Sequence, residues 1–296
     1  MPTKKRRIRM LMVTAVAGVA FQATAAWGHK IKEGVGAGAE TVATSNIAVP
    51  DTKPEDVPAV RATLTAAADA LGMPRTQQLG DGRKPRLDVT NTMEFWASGT
   101  PFSDFHAAVS YNPPGMRVEF SNPNGNPQHA IEVVTGKYAW NESEIGGGLI
   151  PGKGTATPAV MADKQRLLRL WTLPYGVVKA GLAAGDQAKV SMENGATVIT
   201  FPLMGQLAGV TVKATLDAKN LVTKVETEGP GNLTTESEYS DYADRGEIAT
   251  DVQFPGHIVR KQGGKTVVDL TVKMADCNNP YVIFPVPDNV LASPTE

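Results

Sequence analysis

Two periods run along the chain. Between Pro54 and Gly72, the apolar residues Val57, Val60, Leu64, Ala67, Ala68 and Leu71 fall on one helical stripe. Thr52 offers a cap, Glu55 and Asp56 fill the first turn, and Gly72 supplies the stop. A single apolar face means that this helix packs on something else. From Leu87 the period falls to two. Leu87, Val89, Met93 and Phe95 alternate with Asp88, Thr90, Thr92 and Glu94, as in a half-buried strand. Short runs of the same kind follow at 105–111, 116–120, 130–134 and 138–140. The turn clusters Asn112-Pro113-Pro114-Gly115 and Asn122-Pro123-Asn124-Gly125-Asn126-Pro127 separate them.

A glycine-rich loop spans 145–156, and helical signals then interrupt the strands. Thr157-Pro158 predicts a cap with proline at the first helical position. Met161, Leu167, Leu168 and Trp171 line one side of that helix, and Pro174 breaks it. A second short helix is predicted over 175–184, stopped by Gly185. Strands resume at 189–192 and 196–201 around Glu193-Asn194-Gly195, at 210–216 and 221–226 around Asp217-Ala218-Lys219-Asn220, and at 233–242. A last hairpin pairs 254–261 with 265–273 across Gln262-Gly263-Gly264. Consecutive hairpins predict an antiparallel meander and not a βαβ layout. About ten strands in one meander are expected to curl into a barrel or half-barrel. The fold class expected is mainly β (α+β): a curved meander with a leading helix and an inserted helix pair.

The N-terminus changes where such a fold would work. Lys4, Lys5, Arg6, Arg7 and Arg9 precede an uncharged apolar run, Met10 to Ala26, that ends in Ala23-Thr24-Ala25. That order is the signature of a cleaved export signal, and the run is too short and polar for a comfortable membrane span. The expected organisation is a signal over 1–26, a flexible leader over 27–52, one β-rich domain over 53–290 and a tail over 291–296. Localisation is expected to be periplasmic or secreted. Removing residues 1–25 takes away five basic residues and no acid, leaving 24 basic against 30 acidic, a net charge of −6. A nucleic-acid binder needs a broad basic face, which this chain lacks. With Cys277 as its single cysteine, no internal disulfide can form.

Catalytic patterns fail one by one. The histidines His29, His106, His129 and His257 are widely separated, unlike a zinc motif. Gly147 to Gly154 approaches a phosphate loop, but Gly154 stands where a Ser or Thr hydroxyl should reach magnesium. No G-x-S-x-G elbow occurs. No cofactor, metal or catalytic residue is expected. In Glu236-Ser237-Glu238-Tyr239-Ser240-Asp241-Tyr242, the strand period puts Glu236, Glu238, Ser240 and Tyr242 on one face, read as a solvated acidic surface, with a polar lining of a concave sheet as the alternative.

The order of export signal, leading helix, meander, inserted apolar helix pair and further hairpins resembles the periplasmic lipoprotein-carrier (Lol-type) half-barrel. Val210 to Glu226, with its Leu216-Asp217-Ala218-Lys219-Asn220-Leu221-Val222 hairpin, carries the likeness best. Tyr239 to Tyr242, Phe254 to Val259, Gly263-Gly264 and Val267 to Val272 are also similar to the β-rich segment preceding the catalytic domain of some exported metallo-β-lactamase-fold hydrolases. The H-x-H-x-D-H zinc motif of those hydrolases is absent. The Lol-type resemblance implies a concave apolar surface able to hold acyl chains, with a lipid or lipidated protein as partner. The candidate lining residues are Phe95, Trp96, Leu167, Leu170, Trp171 and Val177. The same apolar residues would equally suit a closed core filled by the protein's own helices. The function expected is non-enzymatic binding of an apolar ligand; the alternative is an accessory or interaction domain.

Overall fold

The computed structural model describes residues 59–76, 90–247 and 250–293. The expected signal, the leader, the helix start around Pro54 and the strand start at Leu87 and Val89 lie outside the described residues.

Helix α1 (Val60–Ala70) buries Leu64, Ala67 and Ala68, the stripe that the period predicts. It ends at Gly72, whose φ of +73° suits glycine. A Cβ there would lie 2.2 Å from the Asp251 carbonyl oxygen. Then come β1 (Thr92–Thr100), β2 (Asp104–Tyr111), β3 (Pro114–Ser121), β4 (His129–Thr135), β5 (Tyr138–Glu142) and β6 (Ala156–Pro158). Helices α2 (Asp163–Trp171) and α3 (Pro174–Ala184) follow, then β7 (Lys189–Glu193), β8 (Ala196–Pro202), β9 (Thr211–Leu216), β10 (Val222–Glu228) and β11 (Thr235–Ser240). The chain finishes with a small ribbon, β12 (Ala243–Asp244) with β13 (Gln253–Phe254), then β14 (His257–Gln262), β15 (Lys265–Cys277) and α4 (Asp288–Leu291).

Thirteen strands form one open antiparallel sheet in the order β6-β5-β4-β3-β2-β1-β15-β14-β11-β10-β9-β8-β7. The count exceeds the ten expected, and the joint between halves is the pairing of β1 with β15, Met93 opposite Cys277. Helix α2 touches β3, β4 and β5 and also the turns at 205–207 and 231–233, so the sheet curls around the helices. Inward residues of β1, β2, β9 and β15 join α1, α2 and α3 in the main core. A smaller core sits on the outer face. There Val282, Phe284 and Val290 of the C-terminal segment cover Ile131, Val133 and Trp140. The buried Glu142 carboxylate fixes this layer. It accepts from Trp140 Nε1 at 3.0 Å and from the Gly146 N–H at 2.9 Å, and lies 3.3 Å from Arg117 Nε.

Three local expectations need correction. Thr157-Pro158 does not open a helix: Thr157 pairs with Asn141 and Pro158 with Trp140 in the edge strand β6, where a proline costs no ladder bond. Helix α2 therefore begins at Asp163, and Met161, expected on its apolar side, is 75% exposed. The strand expected over 233–242 ends at Ser240, because Asp241 adopts φ +58°. Tyr242 thus leaves the face of Glu236 and Glu238 and donates its hydroxyl to the Val222 carbonyl at 2.6 Å. The face of Glu236 and Glu238 is not purely acidic. Lys261 Nζ lies 2.9 and 2.7 Å from their carboxylates, and Lys224 Nζ lies 3.2 Å from Glu236.

Candidate ligand cleft

Directly under the helices the concave face is filled by the protein's own side chains. The Phe95 ring lies 5.7 Å from Phe105 and 5.0 Å from Phe254, and Phe254 stacks at 6.3 Å on Tyr175. The Tyr175 hydroxyl sits 2.9 Å from the carbonyls of both Leu71 and Gln253, and Tyr239 donates to the Thr172 carbonyl at 2.7 Å. Burial pushes the Tyr239 phenol up to about 12 and Tyr175 well above its ordinary value, so both stay neutral donors. Phe95, Leu170 and Val177 belong to this enclosed core.

Beside the filled region lies an apolar cleft of about 220 Å³. Leu167 and Trp171, one helical turn apart on α2, form one wall; Ala180 and Ala183 of α3 form the next. Leu203, Met204 and Leu207, between β8 and β9, close the third side, and Met204 stands 56% exposed on its rim. Trp96 lies elsewhere. It alternates out of phase with Phe95 and stacks on His106 on the outer face, with ring centres 4.6 Å apart and planes 7° apart. The structure therefore brings Leu167 and Trp171 together at an open surface and places Phe95, Leu170, Val177 and Trp96 away from it.

The cleft wall is held by a buried polar clasp. Arg166 of α2 donates through Nη1 to the carbonyls of Val133 (2.9 Å) and Trp140 (2.6 Å), and through Nη2 to Asn141 Oδ1 (2.6 Å). Arg169, one turn on, donates to Glu132 Oε2 at 2.5 Å. Burial alone would raise the Glu132 carboxyl, but Arg169 and Arg166 outweigh it and hold it below the ordinary carboxylate value. The folded value lies below the unfolded one. The pair's stabilisation is thus complete above the unfolded pKa and is lost as pH falls through the folded pKa. Glu132→Gln is accordingly expected to lower stability at pH 7, with the gap from wild type closing in acid. Urea midpoints measured from pH 7 down to pH 3 check this; a gap that stays constant would show that the ion pair does not set the difference.

Sequence reasoning missed Arg166 and Met204. Arg166 is one of four charged residues on α2, with Asp163, Lys164 and Arg169, and nothing local marks it as the buried one that must find acceptors. Met204 lies in a short connection without periodicity. Burial, with Asp276 and Asp244 nearby, pushes the Cys277 thiol up, which disfavours the thiolate. Among the described residues, no three His, Cys, Asp or Glu side chains are placed to hold a metal ion. No described helix is long and apolar enough to cross a membrane.

No family model and no curated protein matches this chain. Among solved structures it is similar to the Mycobacterium tuberculosis lipoprotein LppX, with 12% sequence identity and a TM-score of 0.21. The match covers 57% of this chain and 89% of that one. At that score the likeness decides nothing about ligand or role.

Proposed function

We propose that this chain is an exported, non-enzymatic binding protein that holds an apolar ligand, or the acyl chain of a lipidated partner, in the periplasm after signal cleavage. The observation that carries the reading is the cleft beside Trp171, an almost wholly apolar recess left open beside the filled region under the helices. Its 220 Å³ falls below the roughly 300–1,000 Å³ of sites for drug-sized molecules, so it suits one chain and not a bulky head. Each methylene buried there gains ~0.8 kcal/mol before the cost of ordering the ligand. The charge order of residues 1–26 supports export.

Ala183 gives a clean test, because it lines the cleft yet is exposed on α3. Ala183→Trp fills the recess without disturbing the core. The expected result is a loss of at least tenfold in affinity for a hydrophobic fluorescent probe such as N-phenylnaphthylamine, with Tm nearly unchanged. Equal probe binding by both proteins would sink the proposal. The second reading, an interaction domain, is favoured by Tyr281 (87% exposed) and Ile283 (66% exposed) of the C-terminal segment, at a groove lined by both polar and apolar residues. It gains if wild type binds no probe while a protein partner is lost on Tyr281→Ala.

A further inference from the structure

On the five adjacent strands β3, β2, β1, β15 and β14, the concave face changes character toward the turns at 100–104, 121–129 and 262–265. Met93, Phe95, Ala97, Val109 and Leu270 are fully buried. Farther out, Phe105, Phe120, Phe102 and Val268 are only half-buried. The rings of Phe102, Phe105 and Phe120 form one continuous apolar strip, with centres 5.6 and 4.6 Å apart. Arg260 joins this margin. On β14 it shares the inward side with Ile258, and the register sets it between Val268 of β15 and Ser237 of β11.

Among the described residues Arg260, on the inward side, has no counter-ion. Its neighbour Lys261 faces outward and takes both Glu236 and Glu238. On the inward side Glu132 is already held by Arg169 and Arg166. Among the described residues, no carboxylate pairs with Arg260. Burial, with the nearby Arg169 charge, pushes Arg260 down to about 10, so it is still a cation at neutral pH. A half-buried guanidinium with no anion is costly to keep unless something supplies the anion.

We propose that this margin binds a single-chain anionic amphiphile, its charged head on Arg260 and its tail along Phe105, Phe120 and Phe102. A planar five-donor guanidinium matches an oxyanion head, and the half-buried phenyl rings offer the tail dry surface. The site is separate from the Trp171 cleft and does not require that cleft to be occupied.

Calorimetric titration of the whole purified chain at low salt tests it, with oleate below its micellar concentration, monoolein as the neutral analogue and acetate as the tail-less anion. Wild type and Ala183→Trp are both expected to bind oleate at least tenfold more tightly than monoolein, and the advantage shrinks in high salt. Arg260→Gln is expected to bring the two within about twofold while keeping or raising Tm, and Arg260→Lys to restore part of the preference. An oleate preference that survives Arg260→Gln overturns the proposal. So does acetate binding as tightly as oleate, which would mark a plain anion site. Equal binding of oleate and monoolein by wild type overturns it too, yet leaves the cleft reading standing. Loss of the preference on Ala183→Trp alone would place the ligand in the cleft and overturn the separate site.

Discussion

Replacing Arg166 by alanine is expected to destabilise the fold by about 3–5 kcal/mol, because its guanidinium is the partner of several buried acceptors at once. Without it, the Val133 and Trp140 carbonyls lose a donor each, and Asn141 Oδ1 loses a third. The residue is 6% exposed, so water cannot simply take its place. Burial pushes Arg166 down to about 10, with Glu132 opposing that shift, so the charge persists at neutral pH. Methionine would relieve the desolvation of the charge and still orphan the carbonyls, which puts Arg166→Met at the lower end of the range. Lysine keeps the charge but cannot aim a planar fork at several acceptors. Chemical denaturation of the variants, followed by tryptophan fluorescence, measures the differences. A loss under 1 kcal/mol for Arg166→Ala would mean that α2 is held by its apolar contacts alone. The functional consequence runs through α2 itself: when Arg166 lets go of β4 and β5, the wall carrying Leu167 and Trp171 shifts, and probe affinity at the cleft should fall with stability.

The polar clasp and the cleft differ in how far they can be read from the sequence. The hairpins are written in local chemistry. Asn194 and Gly195 adopt φ of +52° and +83° between Glu193 and Ala196, the turn that such a pair favours. Gly263 and Gly264 do the same between Gln262 and Lys265. Period-two alternation also separates Phe95 from Trp96: neighbours on one strand cannot line the same surface, so strand parity by itself divides that pair. The same parity places Arg260 beside Ile258 on the inward side. Other features have no local signature. The pairing of Met93 with Cys277 joins segments far apart in sequence, and only the closing of the whole sheet selects it. The C-terminal segment over Trp140 is likewise specified by an apolar patch that exists only after β2, β3, β4 and β5 have paired in order. Thr157-Pro158 reads as a helix start because propensity is local, whereas the free edge of β5 that captures it is not. On α2 and α3, helical spacing marks Leu167, Leu170, Trp171 and Val177 as inward. Which of them meets protein and which meets an open recess depends on the reach of the 203–207 turn, several strands away in the sheet.

The tightest point of the helix pair is Gly176, and Gly176→Ala is the second large effect expected. Only Thr172 and Leu173 separate α2 from α3, so the second helix must pass close against the end of the first. A Cβ on Gly176 would lie 2.4 Å from the Leu170 carbonyl oxygen and 2.9 Å from the Trp171 Cα. Both are backbone atoms, so no side-chain rotation relieves the overlap; the hairpin has to open. Alanine recovers up to about 1 kcal/mol of helix propensity, while forcing atoms into a packed core costs about 1–3 kcal/mol and occasionally more. With backbone on both sides of the clash the upper figure applies, and a net loss of about 2–3 kcal/mol is expected. Gly181 on the same helix makes the control. Its added Cβ would meet the Leu64 Cδ2 at 2.9 Å, the far end of a side chain that can yield, so propensity and crowding nearly cancel in Gly181→Ala. Opening the hairpin at Gly176 also moves the Thr172 carbonyl off the Tyr239 hydroxyl and swings Trp171 away from the 203–207 turn. Gly176→Ala should therefore weaken probe binding even under conditions where the protein remains folded, and Gly181→Ala should not. If both variants keep wild-type stability and probe affinity, the close passage of α3 against α2 does not set the shape of the cleft.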